Sequence, residues 1–135
     1  FEGFGSNGQL QKGISVYGST KRALRYFTAA AANEYKDTPI IIASLSPGIV
    51  TTDLLIRSSK ESSENWEKAK KILNLLADRV ETVTPWLVEQ TLKNNKNGAK
   101  IAWLNRTKVM GRLFFGGLFC NRRIIDEWEE EMKAQ

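Results

Sequence analysis

The chain is 135 residues long, 41% hydrophobic and 26% charged, with a net charge of +5 and a pI near 9.4, an ordinary balance for one globular domain. It contains no histidine and one cysteine, Cys120, which excludes histidine-based catalysis, most zinc sites and an internal disulfide, and suits a reducing compartment. The positive charge favours phosphates or anionic surfaces, but no zinc-finger or RNP-type motif accompanies it, and no stretch is apolar for long enough to span a bilayer.

Taken in chain order, residues 1–13 read as a Gly-rich loop. A long helix is predicted over about 15–35, with Ala29-Ala30-Ala31-Ala32 allowing another backbone to approach closely. Residues 39–46 carry a continuous apolar run, the signature of a parallel strand covered on both faces, which breaks at Pro47-Gly48. Leu54-Leu55-Ile56 then opens a segment that turns polar from Ser58 to Ser63. A helix over 64–78 would bury Trp66, Ala69, Ile72, Leu73 and Leu76 on one stripe. Thr84 as N-cap and Pro85 at the first helical position suit a helix within 82–95. Gly98 supplies the turn that ends it, and residues 99–104 read as the last strand.

Val109–Cys120 is apolar and aromatic, flanked by Arg106, Lys108, Arg122 and Arg123. That pattern suits a helix lying on an anionic membrane surface, or one docked on a partner subunit or over a substrate pocket. Cys120, within the apolar run, reads as a small packed hydrophobe. Residues 126–133 form a helix that is mostly a solvated charged face.

Tyr17 and Lys21, in Tyr17-Gly18-Ser19-Thr20-Lys21, lie one turn apart on one face of the first helix. A free phenol keeps its proton to a pH near ~10, and a cation held beside it favours the phenolate. Such a pair can pass a proton to or from a carbonyl or hydroxyl oxygen. Tyr17 and Lys21, followed by a strand and then Pro47-Gly48-Ile49-Val50-Thr51-Thr52, resemble the short-chain dehydrogenase/reductase family. Glu2 to Gly8, the Tyr17–Arg22 run, Ser46 to Leu55 and the tail from Trp103 to Arg123 are similar, within that family, to its chlorophyll(ide) b reductase branch.

The resemblance implies an α/β fold, an NAD(P)-binding Rossmann-type doubly wound parallel sheet. Residues 1–135 would be its C-terminal catalytic half, because no Gly-rich turn follows a strand anywhere in the chain. By the same resemblance Tyr17 is the general acid/base, and Lys21 anchors the nicotinamide ribose. Pro47, Gly48, Val50 and Thr52 form the turn over the nicotinamide of NAD or NADP, and no metal is implied. The family's catalytic serine falls in register with Glu2 and Gly3. Ser6, eleven positions before Tyr17, is the nearest hydroxyl and reads equally as that serine or as a plain turn residue. The implied activity is hydride transfer to or from a carbonyl or alcohol, with a large pigment-like substrate as the sharpest version. The implied partners are a second copy of the chain through the Tyr17–Lys21 helix and peripheral contact with a membrane. A fragment or degenerate member that binds without turnover is the alternative. The compartment would be cytoplasmic, or a plastid if the substrate is a pigment.

Overall fold

The computed structural model describes residues 1–62, 65–119 and 122–134, so Cys120 lies outside the described residues. The elements in order are α1 (Ser15–Glu34), β1 (Ser44–Ser46), α2 (Asp53–Ser62), α3 (Trp66–Leu76), α4 (Val80–Lys93), β2 (Lys100–Ala102), α5 (Arg106–Phe119) and α6 (Ile124–Ala134). They fall into two compact units, one of Phe1–Pro47 with Pro85–Trp103, the other of Gly48–Thr84 with Leu104–Gln135.

In the first unit β1 and β2 pair in parallel, in the register Ser44↔Lys100, Leu45↔Ile101 and Ser46↔Ala102. The strand expected over 39–46 is therefore only its last three residues. The N–H of Ile42 goes to the side-chain oxygen of Asn97 at 3.0 Å instead of to a neighbouring strand, and Ile40 and Ile41 are exposed rather than covered on both faces. The same Asn97 amide donates to the carbonyl of Ala32 at 2.7 Å, tying the end of α1 to the start of the sheet. Gly98 takes the left-handed conformation expected of it, with φ 72°, and donates to Ile42 O at 2.8 Å. Ala31 and Ala32 are the buried residues of α1, so part of the alanine patch serves this packing.

α4 starts earlier than its Thr84-Pro85 signal suggests. The carbonyl of Arg79 accepts from both Thr82 and Val83, which nucleates the helix at Val80 and leaves Pro85 inside it. Pro85 lies past the first turn, so the helix forgoes the bond that an N–H there would have made to Glu81 O.

In the second unit the segment after Pro47-Gly48 is helical from Asp53. Thr52 supplies the cap, its hydroxyl accepting from Leu55 N at 3.2 Å. Asn65 caps α3 in the same way, accepting from Lys68 N at 3.1 Å. Ile56, Leu73, Ala77 and Ile125 form the core, with Ile49, Leu55, Trp66, Ile124 and Trp128 packed against it. Ile72, expected on the buried stripe, is exposed, because the buried arc of α3 passes through Leu73.

α6 differs most from expectation. It is docked rather than solvated: Ile125 is fully buried, and the carboxylates are paired across to α2, α3 and Arg79. Lys70 meets Asp126 at 2.5 Å and Glu129 at 2.8 Å, Lys60 meets Glu129 at 2.7 Å, and Arg79 meets Glu131 at 2.9 Å. Among the described residues no helix is long and apolar enough to cross a membrane.

These pairs set the pH range over which α6 stays docked. Hydrogen bonds to Asp126 and Glu129 hold the Lys70 ammonium above the usual lysine range. A hydrogen bond from Lys70 is the main cause that holds the Asp126 carboxyl below its ordinary range. Burial works against charge on Glu129, but hydrogen bonds from Lys60 and Lys70 outweigh it and lower its pKa too. Carboxyls lowered on folding stabilise the fold above their unfolded values, 3.8 and 4.5, and lose that contribution as pH falls through the folded ones. Lys70, raised on folding, contributes fully below 10.5 and loses its contribution as pH rises through its folded value. The unfolding midpoint should therefore stay flat between these limits and fall at acid pH, measured by circular dichroism melts. Ile125→Ala should cost about 2–5 kcal/mol at any pH within the plateau.

Candidate functional site

The first six residues run between β1 and α1. Glu2 N–H donates to Leu45 O at 2.7 Å, and the Glu2 carboxylate accepts from Ser44 Oγ at 3.1 Å and pairs with Lys100. Burial disfavours its charge, but the bonds from Lys100 and Ser44 and the nearby Arg25 hold the carboxyl below the usual range. On the other side Gly5 meets α1 at Gly18: a Cβ on Gly5 would lie 2.6 Å from the Gly18 Cα. A Cβ on Gly18 would meet only the Gly5 Cα, at 3.9 Å, so the close approach requires glycine at position 5 rather than at 18. Arg22 reinforces it by donating to Ser6 O at 3.1 Å.

Tyr17 and Lys21 project from α1 as their spacing predicts, with the Lys21 ammonium 5.5 Å from the centroid of the Tyr17 ring. Tyr17 is 46% exposed. The Lys21 ammonium carries three donors, and the Phe1 carbonyl takes one at 3.5 Å. The phenolic oxygen lies against Gly3, where a Cβ would come within 2.6 Å of it.

Ser6 lies in the same unit but is fully buried. Its hydroxyl accepts from Gly3 N at 3.0 Å, while its own N–H donates to Gly3 O at 3.1 Å. These two bonds close a turn between Gly3 and Ser6.

Pro47 ends the first unit, and Gly48, Val50 and Thr52 open the second. Gly48 needs its glycine, with φ 77° and the Leu104 side chain where a Cβ would sit. The following residues are held by Asp78. Val50 bridges to it in parallel, Thr51 N–H donates to Asp78 O at 3.0 Å, and Asp78 N–H donates to Ile49 O at 3.0 Å. The Asp78 carboxylate is gripped by Arg112 at 2.9 Å and Arg122 at 2.8 Å. Lys108, pushed below the usual lysine range by burial and then by Arg112, belongs to the same electropositive neighbourhood. Thr52 is exposed, and a hydroxyl that accepts as a helix cap can still donate.

In the first unit Tyr17 and Lys21 offer a phenol and an ammonium, and in the second Gly48 and Thr52 offer a tight turn and a hydroxyl. Among the described residues no group of acidic or thiol side chains is arranged to hold a metal ion. The Gly3 contact and the Asp78 cluster carried no signal in the sequence, since their partners are far apart along the chain.

Residues 5–63 match the family model of short chain dehydrogenase. Over 109 residues the chain is 34% identical to the probable chlorophyll(ide) b reductase NYC1, chloroplastic, of Oryza sativa subsp. japonica, a match covering 81% of this chain and 20% of that protein. It is 30% identical over 129 residues to the chlorophyll(ide) b reductase NOL, chloroplastic, of the same plant, covering 90% of this chain and 36% of that protein. The NOL protein of Arabidopsis thaliana is 34% identical over 90 residues, 64% of this chain and 24% of its own length. The chain thus spans between about a fifth and about a third of the length of the curated relatives it matches. No solved structure matches it. Over residues 5–63, with Tyr17 and Lys21 among them, the chain is similar to the short chain dehydrogenase family.

Proposed function

We propose that this chain carries the proton-transfer half of an NAD(P)-dependent oxidoreductase acting on a carbonyl or alcohol, within a Rossmann-type doubly wound sheet. The observation that carries the reading is the exposed Tyr17 phenol with the Lys21 ammonium over its ring, on a helix of matching family sequence. In the reductive direction Tyr17 gives its proton to the substrate oxygen as negative charge develops there. Lys21 offers its ammonium donors to ribose hydroxyls, and its charge lies near the phenolate left behind. Gly48 allows the close backbone turn, and Pro47, Val50 and Thr52 complete the nicotinamide contacts. Bound there, the nicotinamide supplies or accepts the hydride.

For the substrate we propose a large hydrophobic carbonyl compound, chlorophyll(ide) b in its sharpest form. Two observations support this: the names of the relatives, and an apolar outer face on α5. Met110, Leu113, Phe114 and Phe115 are all at least half exposed, whereas Arg112 turns inward to Asp78. A plastid fits the chloroplastic designation of those relatives. The outward Val16, Tyr26 and Phe27 of α1 suit packing of a second copy of the chain.

In the full-length protein, Tyr17→Phe should lower kcat about 10²–10⁴-fold with dinucleotide binding little changed. A variant that kept wild-type kcat would remove Tyr17 from the role of acid. Lys21→Met should weaken dinucleotide binding, since the ribose hydroxyls lose an ammonium donor. Unchanged binding would remove Lys21 from the ribose contact.

Phe114→Asp with Phe115→Asp tests the apolar face, after folding is verified. Losing ~100 Å² of apolar contact corresponds to about 2.5 kcal/mol in kcat/KM, so bulky carbonyl substrates should suffer and small ones should not. Equal losses would assign the face to assembly. Loss of sedimentation with anionic vesicles at unchanged activity would assign it to a membrane surface.

A further inference from the structure

Gly3 is a glycine for room rather than for conformation. Five glycines of the described chain have positive φ, namely Gly5, Gly8, Gly13, Gly48 and Gly98, and Gly3 is not among them. Its backbone would accept alanine, and what forbids a side chain is Tyr17. A Cβ at Gly3 would lie 2.6 Å from the phenolic oxygen, then 3.2 Å and 3.4 Å from Cε and Cδ of Lys21. Since those are the three nearest atoms, the ring carbons lie no closer than 3.4 Å. The obstacle is therefore the hydroxyl itself and, secondarily, the flexible Lys21 stem.

We infer that Gly3 is the seat of the Tyr17 hydroxyl and that Ser6 is a positioning residue that acts through it. Ser6 clamps Gly3 from both sides of its peptide, accepting from its N–H at 3.0 Å and donating to its carbonyl at 3.1 Å. Full burial of Ser6 withholds its hydroxyl from solvent-side ligands. The clamp cannot drift, because Arg22 holds Ser6 O and Glu2 N–H is bonded to Leu45 O. Phe1 O, at the start of the same segment, accepts from Lys21. One short stretch of backbone thus sets where both members of the catalytic pair stand. Misplacement by about 1 Å costs a reacting group on the order of 10²-fold in rate, so the clamp bears on turnover although Ser6 need not touch the substrate. This inference deepens the reading of Tyr17 as the acid and rests on it.

Two cycles on the full-length protein test it. In the first, thermal unfolding is compared for the wild type, Gly3→Ala, Tyr17→Phe and the double variant. Gly3→Ala should lower Tm by about 4–8 °C in the wild-type background and by little when Tyr17 is phenylalanine, because the overpacked atom is gone. An equal loss in both backgrounds, or none in either, overturns the seat. In the second, chlorophyllide b reduction with NADPH is measured for Ser6→Ala, Gly3→Ala and the pair. Ser6→Ala should lower kcat about tenfold or more with KM within about twofold, and the pair should lose no more than Gly3→Ala alone. Multiplicative losses would mean that Ser6 acts independently of Gly3 and would overturn the inference. Should Ser6→Ala not fold, Ser6→Cys, slightly larger and a weaker acceptor, should show the same pattern in milder form. Tyr17→Phe with wild-type turnover would instead overturn the assignment of the acid, and the thermal cycle would still decide the seat.

Discussion

Glu2 holds the opening segment of the chain by main chain and side chain together: its N–H bonds to Leu45 O, while its carboxylate takes Ser44 and Lys100. A carboxylate withdrawn from water must be compensated by charge and hydrogen bonds, and Lys100 on β2 supplies the charge. The register of β1 against β2 therefore also fixes where Phe1 and Gly3 lie. Lys21 bonds the carbonyl of the first, and Tyr17 rests its hydroxyl on the second. Removing that anchor would leave α1 intact as a helix but would leave its tyrosine without a defined wall.

Asp78 has the corresponding role in the second unit. Its backbone joins the stretch from Ile49 to Thr51, and its carboxylate collects two guanidinium groups. Such a cluster is weak evidence for net stability, because desolvating several charges offsets much of their attraction. Its consequence here is directional. Arg112 faces inward to meet Asp78 and to donate to Leu76 O at 2.9 Å, so α5 presents Met110, Leu113 and Phe114 outward.

α6 illustrates the difference between exposed and docked charge. Its sequence from Asp126 to Lys133 has the composition of a solvated face, yet Lys60, Lys70 and Arg79 receive its carboxylates. Surface pairs contribute little individually. The fully buried Ile125 next to them supplies the larger share, and the ion pairs select the orientation in which it docks.

Much of this was legible in the sequence. The Tyr17–Lys21 spacing placed both side chains on one face because α-helical geometry leaves no alternative, and Pro47-Gly48 and Gly98 marked turns because backbone sterics act locally. The helices of 15–34 and 66–76 followed from periodicity to within a residue or two. What the sequence did not disclose depends on partners distant along the chain. In the structure Ile42 bonds Asn97 and Gly98 where a longer strand over 39–46 was expected, Lys70 pairs with Asp126 of α6, and Arg112 of α5 faces Asp78. The requirement for glycine at position 3 is of the same kind. Local chemistry chose the phenol and its ammonium, and only the tertiary structure could set a wall against the phenol, because that wall belongs to a loop whose position is determined by strands and charges far away in sequence.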